Sequence, residues 1–300
     1  MNTLAIELPA TAQRRRIWSP FAYLALSPSF LGLLIFFALP MGMMIGMSFA
    51  SAETLAPTLD NYARFFTDGL SIAGFCRTAI MSALVAVSVT VLGYPVAYFL
   101  ARSKTRWRAL VFGLALAPEL AGVVLRTYGW LIILEDRGFI NDTLIHLGII
   151  ASPLPLSKNL FAVVVGLTHV VLPFGILSLT TSIQGIDPNL ERAAQMLGAS
   201  RLAVVRHIIL PLSVPGIVSS LLISFTMAAS AYATPALLGG AGFKVLATMI
   251  YEQVLFYINW PFAAVMAIAL LVMMLAISFV GVRYESRLRA QSGNLKGDVS

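Results

Sequence analysis

Charge is what this 300-residue sequence has least of: Asp, Glu, Lys and Arg make up 11% of it, against 59% hydrophobic residues. A soluble globular domain carries roughly twice that charged share, so the composition excludes one. Cysteine is nearly absent. The single Cys76 excludes an internal disulfide, and with three histidines in the chain no Cys/His cluster has metal-ligand spacing. No glycine-rich loop ending in Gly-Lys-Ser/Thr is present to cradle nucleotide phosphates, so ATP hydrolysis is not this chain's own chemistry and no cofactor is expected on it. Neither HExxH nor GxSxG occurs, which removes the minimal parts of a membrane protease or esterase. No basic stripe is interleaved with aromatics, so the formal net charge of +7 does not point to nucleic acid.

What is there is apolar sequence in long runs. Uncharged stretches of 20 or more residues recur, so the solvent for most of the chain is lipid. The pattern predicts an all-α membrane protein with six transmembrane helices, at about 22–49, 78–101, 109–134, 160–182, 214–237 and 261–282. Ala50-Ser51-Ala52 looks like a signal-peptide cleavage site, but the apolar run before it is far too long for one, so the first span is expected to stay uncleaved. Residues 50–76 are expected as an external loop, and Pro95 as a kink in the second span. Of the 20 Lys and Arg, fourteen fall in the tails and loops assigned to the cytoplasm, five fall in external loops, and Arg126 lies inside a span. That asymmetry places both termini in the cytoplasm. The expected organisation is a cytoplasmic tail at 1–20, one membrane domain at 21–285 and a cytoplasmic tail at 286–300.

One polar segment, residues 187–211, interrupts the apolar runs on the cytoplasmic side. Asp187 is a good N-cap, and Pro188 follows at the first helical position, where a missing N–H costs nothing. Leu190, Ala193, Ala194 and Leu197 recur at helical spacing and make one apolar face, on which the small alanines allow close approach by another protein. Gly198 supplies the C-terminal stop, and Ala199 leads to Ser200, the cap of a second short helix with Leu202, Val205 and Ile209 on one side. Pro211 and Pro215 mark the approach to the next span. An ordinary amphipathic connector resting on the lipid surface is the bland alternative.

The spacing within this segment resembles the EAA loop of binding-protein-dependent ABC importer permeases, whose pattern is E-A-A, three residues, G, nine residues, I-x-L-P. Ala193, Ala194, Gly198, Ile208, Leu210 and Pro211 fall in register. The glutamate of the pattern aligns with Arg192, and the acid stands one residue earlier as Glu191, a rotation of about 100° on a helix. Beyond the loop, Leu125-Arg126-Thr127-Tyr128-Gly129-Trp130, Gly138-Phe139-Ile140-Asn141, Leu172-Pro173-Phe174, residues 235–240 (PALLGG) and Asn259-Trp260-Pro261 are similar to the spermidine/putrescine permease branch. The resemblance implies a type I ABC importer permease fold in the bacterial inner membrane, with a cytoplasmic coupling helix in the 187–211 loop. It further implies a second permease subunit, a cytoplasmic ABC ATPase dimer that binds the ATP, and an extracytoplasmic solute-binding protein. The cargo it implies is polyamine-like, or another small organic solute.

Two ionisable residues, Glu119 and Arg126, sit inside the expected third span, where an unpaired charge costs about 2.5 kcal/mol or more. On one continuous helix, seven residues separate them by about 10 Å, too far for a direct ion pair. Glu119 is the candidate for a water-filled cavity. Arg126 is divided evenly between the translocation path and an anchor at the external interface. Ser219, Thr226, Ser230 and Thr234 are expected near one face of the fifth span, either as a mildly polar wall or bonded to their own backbone and neighbouring helices. His169 reads as a packing residue. An ion-driven secondary transporter is the alternative class; it calls for inverted repeats and paired intramembrane carboxylates, and neither is apparent in the sequence.

Overall fold

The computed structural model describes residues 27–28, 31–52 and 54–297, with side chains described as far as residue 287. The expected 1–20 tail, with Arg14 to Arg16, and the side chains of Arg289 and Lys296 lie outside the described residues. The chain divides into two units, residues 1–46 and 47–300. In the first begins α1, Leu31–Ser48, an apolar helix long enough to cross a bilayer, with a π-helical turn at Leu34–Ala38.

The second unit holds α2 (Asp60–Thr67), α3 (Gly69–Arg102), α4 (Trp107–Leu120), α5 (Val123–Leu134), α6 (Phe139–His146) and α7 (Leu160–Gln184). It continues with α8 (Pro188–Met196), α9 (Arg201–Leu212), α10 (Val214–Ala229), α11 (Ala233–Leu238), α12 (Leu246–Leu255) and α13 (Trp260–Gly297). Among the described residues α1, α3, α7 and Trp260–Arg287 of α13 are each long and apolar enough to span a membrane. Two bent pairs bring the spans to the expected six when each counts as one: Trp107–Leu120 with Val123–His146, bent by 99°, and α9 with α10, bent by 67°.

Boundaries of the second, third, fifth and sixth spans differ from the sequence reading, the sixth because α13 runs on past residue 282 to Gly297. The second span starts at Gly69, because Asp68 caps α3 through the N–H groups of Leu70 and Ser71. Arg77, read as external, does not end the helix: its Nη1 donates to the carbonyls of Gly242 and Lys244 at 3.2 and 3.0 Å. The third span is not one helix, since Ala121 and Gly122 adopt extended backbone between α4 and α5. The fifth ends at Ala229, and the chain restarts as α11 with Pro235 in its first turn, where a missing N–H is tolerated.

The core is built where α3, α7 and α10 pack together. Gly175 makes the close approach possible: a Cβ there would lie 2.3 Å from Val89 Cγ1 and 3.1 Å from Ser220 Oγ. Around it Met81, Val85, Val89, Leu167, Val171 and Ala228 are buried together. Hydroxyl pairs also tie α3 to the α10 region, Thr90 to Ser220 at 3.2 Å and Tyr94 to Ser213 at 2.9 Å. Lipid offers apolar side chains no less than a core does, so close packing and such interhelical bonds hold these helices together. A second cluster, with Phe65, Phe225, Leu246, Met249, Phe262 and Met266, closes one end of the bundle. A third closes the other end, where Ala97, Leu100, Ile176, Leu179 and Ile183 meet Val204 and Ile209 of α9.

Candidate docking hairpin and translocation path

The 187–211 segment folds as its capping residues dictate. Asp187 accepts from the N–H of Asn189 at 2.9 Å, Pro188 opens α8, and Ser200 caps α9 by accepting from the N–H of Ala203 at 3.2 Å. Gly198 turns the chain between the two helices at φ +85°, the left-handed region that a Cβ disfavours. The Ala199 N–H bonds the Ala194 carbonyl at 3.0 Å and closes the turn. The result is a helix–turn–helix at the same end of the bundle as the C-terminus of α3.

Its two faces are not those the helical spacing alone suggests. Ala194, Ala199, Ile208 and Ile209 turn inward and pack on α3 and α7, whereas Leu190, Ala193 and Leu197 face outward. Met196 and Leu197 are 88% and 89% exposed. On α9, Val204 is buried and Leu202 is not, and a π-helical turn at Val205–Ile209 brings Ile209 onto the same buried face as Val204. Leu210 and Pro211 are exposed and lead into the 67° bend before α10.

Glu191 points the other way from the exposed leucines. It is 9% exposed, its Oε1 lies 2.5 Å from Arg102 Nε in an ion pair without hydrogen-bond alignment, and its Oε2 accepts from Tyr98 Oη at 3.3 Å. Arg102 also donates through Nη2 to the Ile186 carbonyl at 3.0 Å. The last turn of α3 is thereby clamped to both the start and the middle of the hairpin. Residues 102 and 191 are far apart in sequence, so no local pattern announces this contact.

The ion pair judged out of reach on a continuous helix does form. Arg126 Nη1 donates to Glu119 Oε1 at 2.9 Å, with the two side chains 7% and 32% exposed. The 99° bend at Ala121–Gly122 folds α4 and α5 toward each other, so distance along a straight axis no longer applies. One turn beyond Arg126 on α5, Trp130 Nε1 donates to His169 Nδ1 at 3.2 Å, which satisfies the histidine on α7. Of the four hydroxyls expected on the fifth span, Thr226 donates to the Leu222 carbonyl and Ser230 to that of Thr226. Thr234 is buried on α11 and pairs with Thr127 at 3.3 Å, and Ser219 is half-buried. The single face is broken by the end of α10 at Ala229.

A polar site that the sequence did not reveal lies at the end of the bundle opposite the hairpin. Tyr232, Phe243, Tyr251, Phe256 and Glu252 line a cavity of about 440 Å³, with the Tyr232 and Tyr251 ring centroids 4.4 Å apart. Lys244 forms an ion pair with Glu252, and the two also line a neighbouring cavity of about 730 Å³ that reaches Arg64 and Asp68. The only sequence signal was an acid in a mostly apolar stretch; the pairing depends on the turn that starts α12 at Leu246.

Comparison with known proteins now decides the family. The family described as "Binding-protein-dependent transport system inner membrane component" matches residues 93–290. This chain belongs to that family. The permease is 36% identical over 247 residues to the spermidine/putrescine transport system permease protein PotB of Salmonella typhimurium (strain LT2), covering 81% of this chain and 86% of that protein. It is 35% identical to PotB of Escherichia coli (strain K12), covering 81% and 90%. Among solved structures, a bacterial ABC transporter involved in import of the acidic polysaccharide alginate matches with a TM-score of 0.75 at 21% identity, over 89% of this chain and 95% of that one. The MetNI methionine ABC transporter matches with a TM-score of 0.56 at 20% identity, over 72% and 95%. The permease therefore has the fold of ABC importer permeases, and as the inner-membrane component of such a system it transports rather than catalyses.

Proposed function

We propose that this permease moves a polyamine-like organic cation inward, with ATP hydrolysed by a separate cytoplasmic ATPase dimer. A second permease completes the membrane pathway, and an extracytoplasmic binding protein delivers the solute. Both termini are cytoplasmic and the 187–211 hairpin is the ATPase docking element. The observation that carries the cargo is the 35–36% identity to spermidine/putrescine permeases over most of both chains. The ring faces of Tyr232 and Tyr251 in that pocket agree with it, because aromatic faces hold a protonated amine, while Glu252 there is paired with Lys244. Glu119 and Arg126 are the charged candidates along the path.

The test is uptake into proteoliposomes holding both permeases and the ATPase, with the binding protein outside and ATP inside. Labelled spermidine or putrescine should accumulate only when ATP and the binding protein are both present. Failure with either polyamine, together with uptake of a neutral or anionic solute, overturns the cargo assignment. Reporter fusions after residue 300 and within residues 140–158 should report opposite sides of the membrane; the same side for both overturns the topology.

A further inference from the structure

We propose that the ATPase surface receiving the 187–211 hairpin is acidic, with carboxylates facing Arg192 and Arg201 around an apolar pocket for Met196 and Leu197. This rests on the docking role proposed above and adds the chemistry of the partner.

The hairpin has two acids, and both are used within the chain. Glu191 is buried against Arg102 and Tyr98, and Asp187 caps α8 through the Asn189 N–H. The charges left on the outer surface are mainly positive, with Asp187 the exposed acid at the start of α8. Arg192, Arg201 and Arg206 are exposed, His207 stands beside them, and Lys104 and Arg106 in the loop after α3 and Arg108 in the first turn of α4 are exposed as well. Among these, Arg192 is anchored only by a 3.3 Å bond from its Nη1 to Asn189 Oδ1 on the same helix, which leaves its other donors free.

The apolar contribution is equally one-sided. Met196, Leu197 and Leu202 are 77–89% exposed on a segment that leaves the lipid, beside the arginines rather than apart from them. An apolar centre with a charged rim is the anatomy of a protein interface. Like charges face to face are repelled, so a basic rim selects an acidic partner and rejects a basic one. Anionic lipid headgroups offer the same sign of charge, and the vesicle measurement below separates that reading from a protein partner.

The experiment measures retention of the transporter's purified ATPase on the immobilised permease pair in detergent, for wild type, Arg192→Gln, Arg192→Glu and Leu197→Asp. Wild-type retention should fall as salt rises from about 0.1 to 1 M, where screening shortens from about 10 to 3 Å. Arg192→Glu should lower retention at low salt by about tenfold, and Arg192→Gln by less. A Lys substitution at one exposed acid of the ATPase groove should restore binding to Arg192→Glu. Unchanged retention and unchanged salt response in Arg192→Glu overturn the acidic partner while leaving the docking role standing, provided Leu197→Asp still loses binding. If Leu197→Asp also binds normally, the docking role fails and the partner chemistry falls with it. If Arg192→Glu alters only attachment to vesicles containing anionic lipid, the basic rim serves the membrane and the proposal is overturned.

Discussion

At the scale of single residues, Arg102 and Arg126 in the helices are each paired with an acid, and such pairs are sensitive to losing one member. Arg126 is the more buried partner of Glu119, so neutralising the acid leaves an uncompensated guanidinium within the membrane span. Glu119→Gln is therefore expected to lower stability by about 2–3 kcal/mol, the cost of an unpaired charge at such depth. The double variant Glu119→Gln with Arg126→Met should recover part of that loss, as read by thermal unfolding in lipid nanodiscs; equal losses in the single and double variants would contradict the pair. Asp68 makes a different kind of contribution. Its carboxylate accepts from Ser71 Oγ at 2.7 Å and from the N–H groups of Ser71 and Leu70, and the Ser71 hydroxyl bond is the main cause holding its pKa below the ordinary carboxylate value. A lowered folded-state pKa means that the stabilisation is complete above the unfolded pKa, near 3.9, and fades as pH falls through the lower folded value. Asp68→Ala should thus cost about 0.5–2 kcal/mol at neutral pH, and the cost should shrink as pH falls below the unfolded value. A pH series of melting temperatures for the two proteins checks this, and a difference that grows on acidification would refute it.

At the scale of elements, the parts of the hairpin set by local chemistry were legible and the parts set by packing were not. Asp187, Pro188, Gly198 and Ser200 act on their own neighbours, so their roles as cap, first-turn proline, left-handed turn and second cap could be read from the sequence and are found in place. Which side of α8 turns inward depends on α3, and so Ala194 and Glu191, expected in the docking loop, both pack against the permease body instead. The same division holds for the spans. Their number follows from apolar length, whereas the break at Ala121–Gly122, on a glycine and shortly after Pro118, is masked by an apolar run long enough for one helix, and an axis calculation across it misplaced Glu119 relative to Arg126. Gly198 offers the direct test of the local part. No atom lies within 4 Å of a Cβ built there, so a substitution meets backbone strain alone, about 1–2 kcal/mol for a residue forced left-handed. Gly198→Ala should leave the melting of the bundle almost unchanged, since the strain is relieved by local opening of the turn, and should reduce ATP-driven uptake. Proteolysis between α8 and α9 should rise in parallel; a variant with normal uptake and normal proteolysis would show that the tight turn is dispensable.

At the scale of the whole molecule, the hairpin is attached to the bundle at a place where motion can be transmitted. Val204 and Ile209 are seated in the same cluster as Leu100 and Leu179, so α9 is continuous with the packed ends of α3 and α7. Arg102 adds a directional link, holding Ile186 and Glu191 to the last turn of a 34-residue helix that runs the length of the bundle. A rigid-body displacement of α8 by an ATPase would therefore pull on α3, and through Arg77 and Thr78 on the loop bearing Lys244 and Leu246 at the opposite end. The Glu191–Arg102 pair is the weakest necessary part of that chain, because it is one contact between charged groups rather than a packed surface. Glu191→Gln keeps an oxygen acceptor for Tyr98 but loses the charge that holds Arg102. It is expected to leave ATPase retention and binding-protein-stimulated hydrolysis close to wild type, while uptake per ATP falls several-fold, a coupling loss of about 0.5–2 kcal/mol. Arg102→Gln should do the same or more, because it also loses the Ile186 carbonyl, and the double variant should be no worse than Arg102→Gln alone. Hydrolysis and uptake falling in proportion would mean that the pair only keeps the docking surface in shape, and additive losses in the double variant would mean that the two residues act through different contacts.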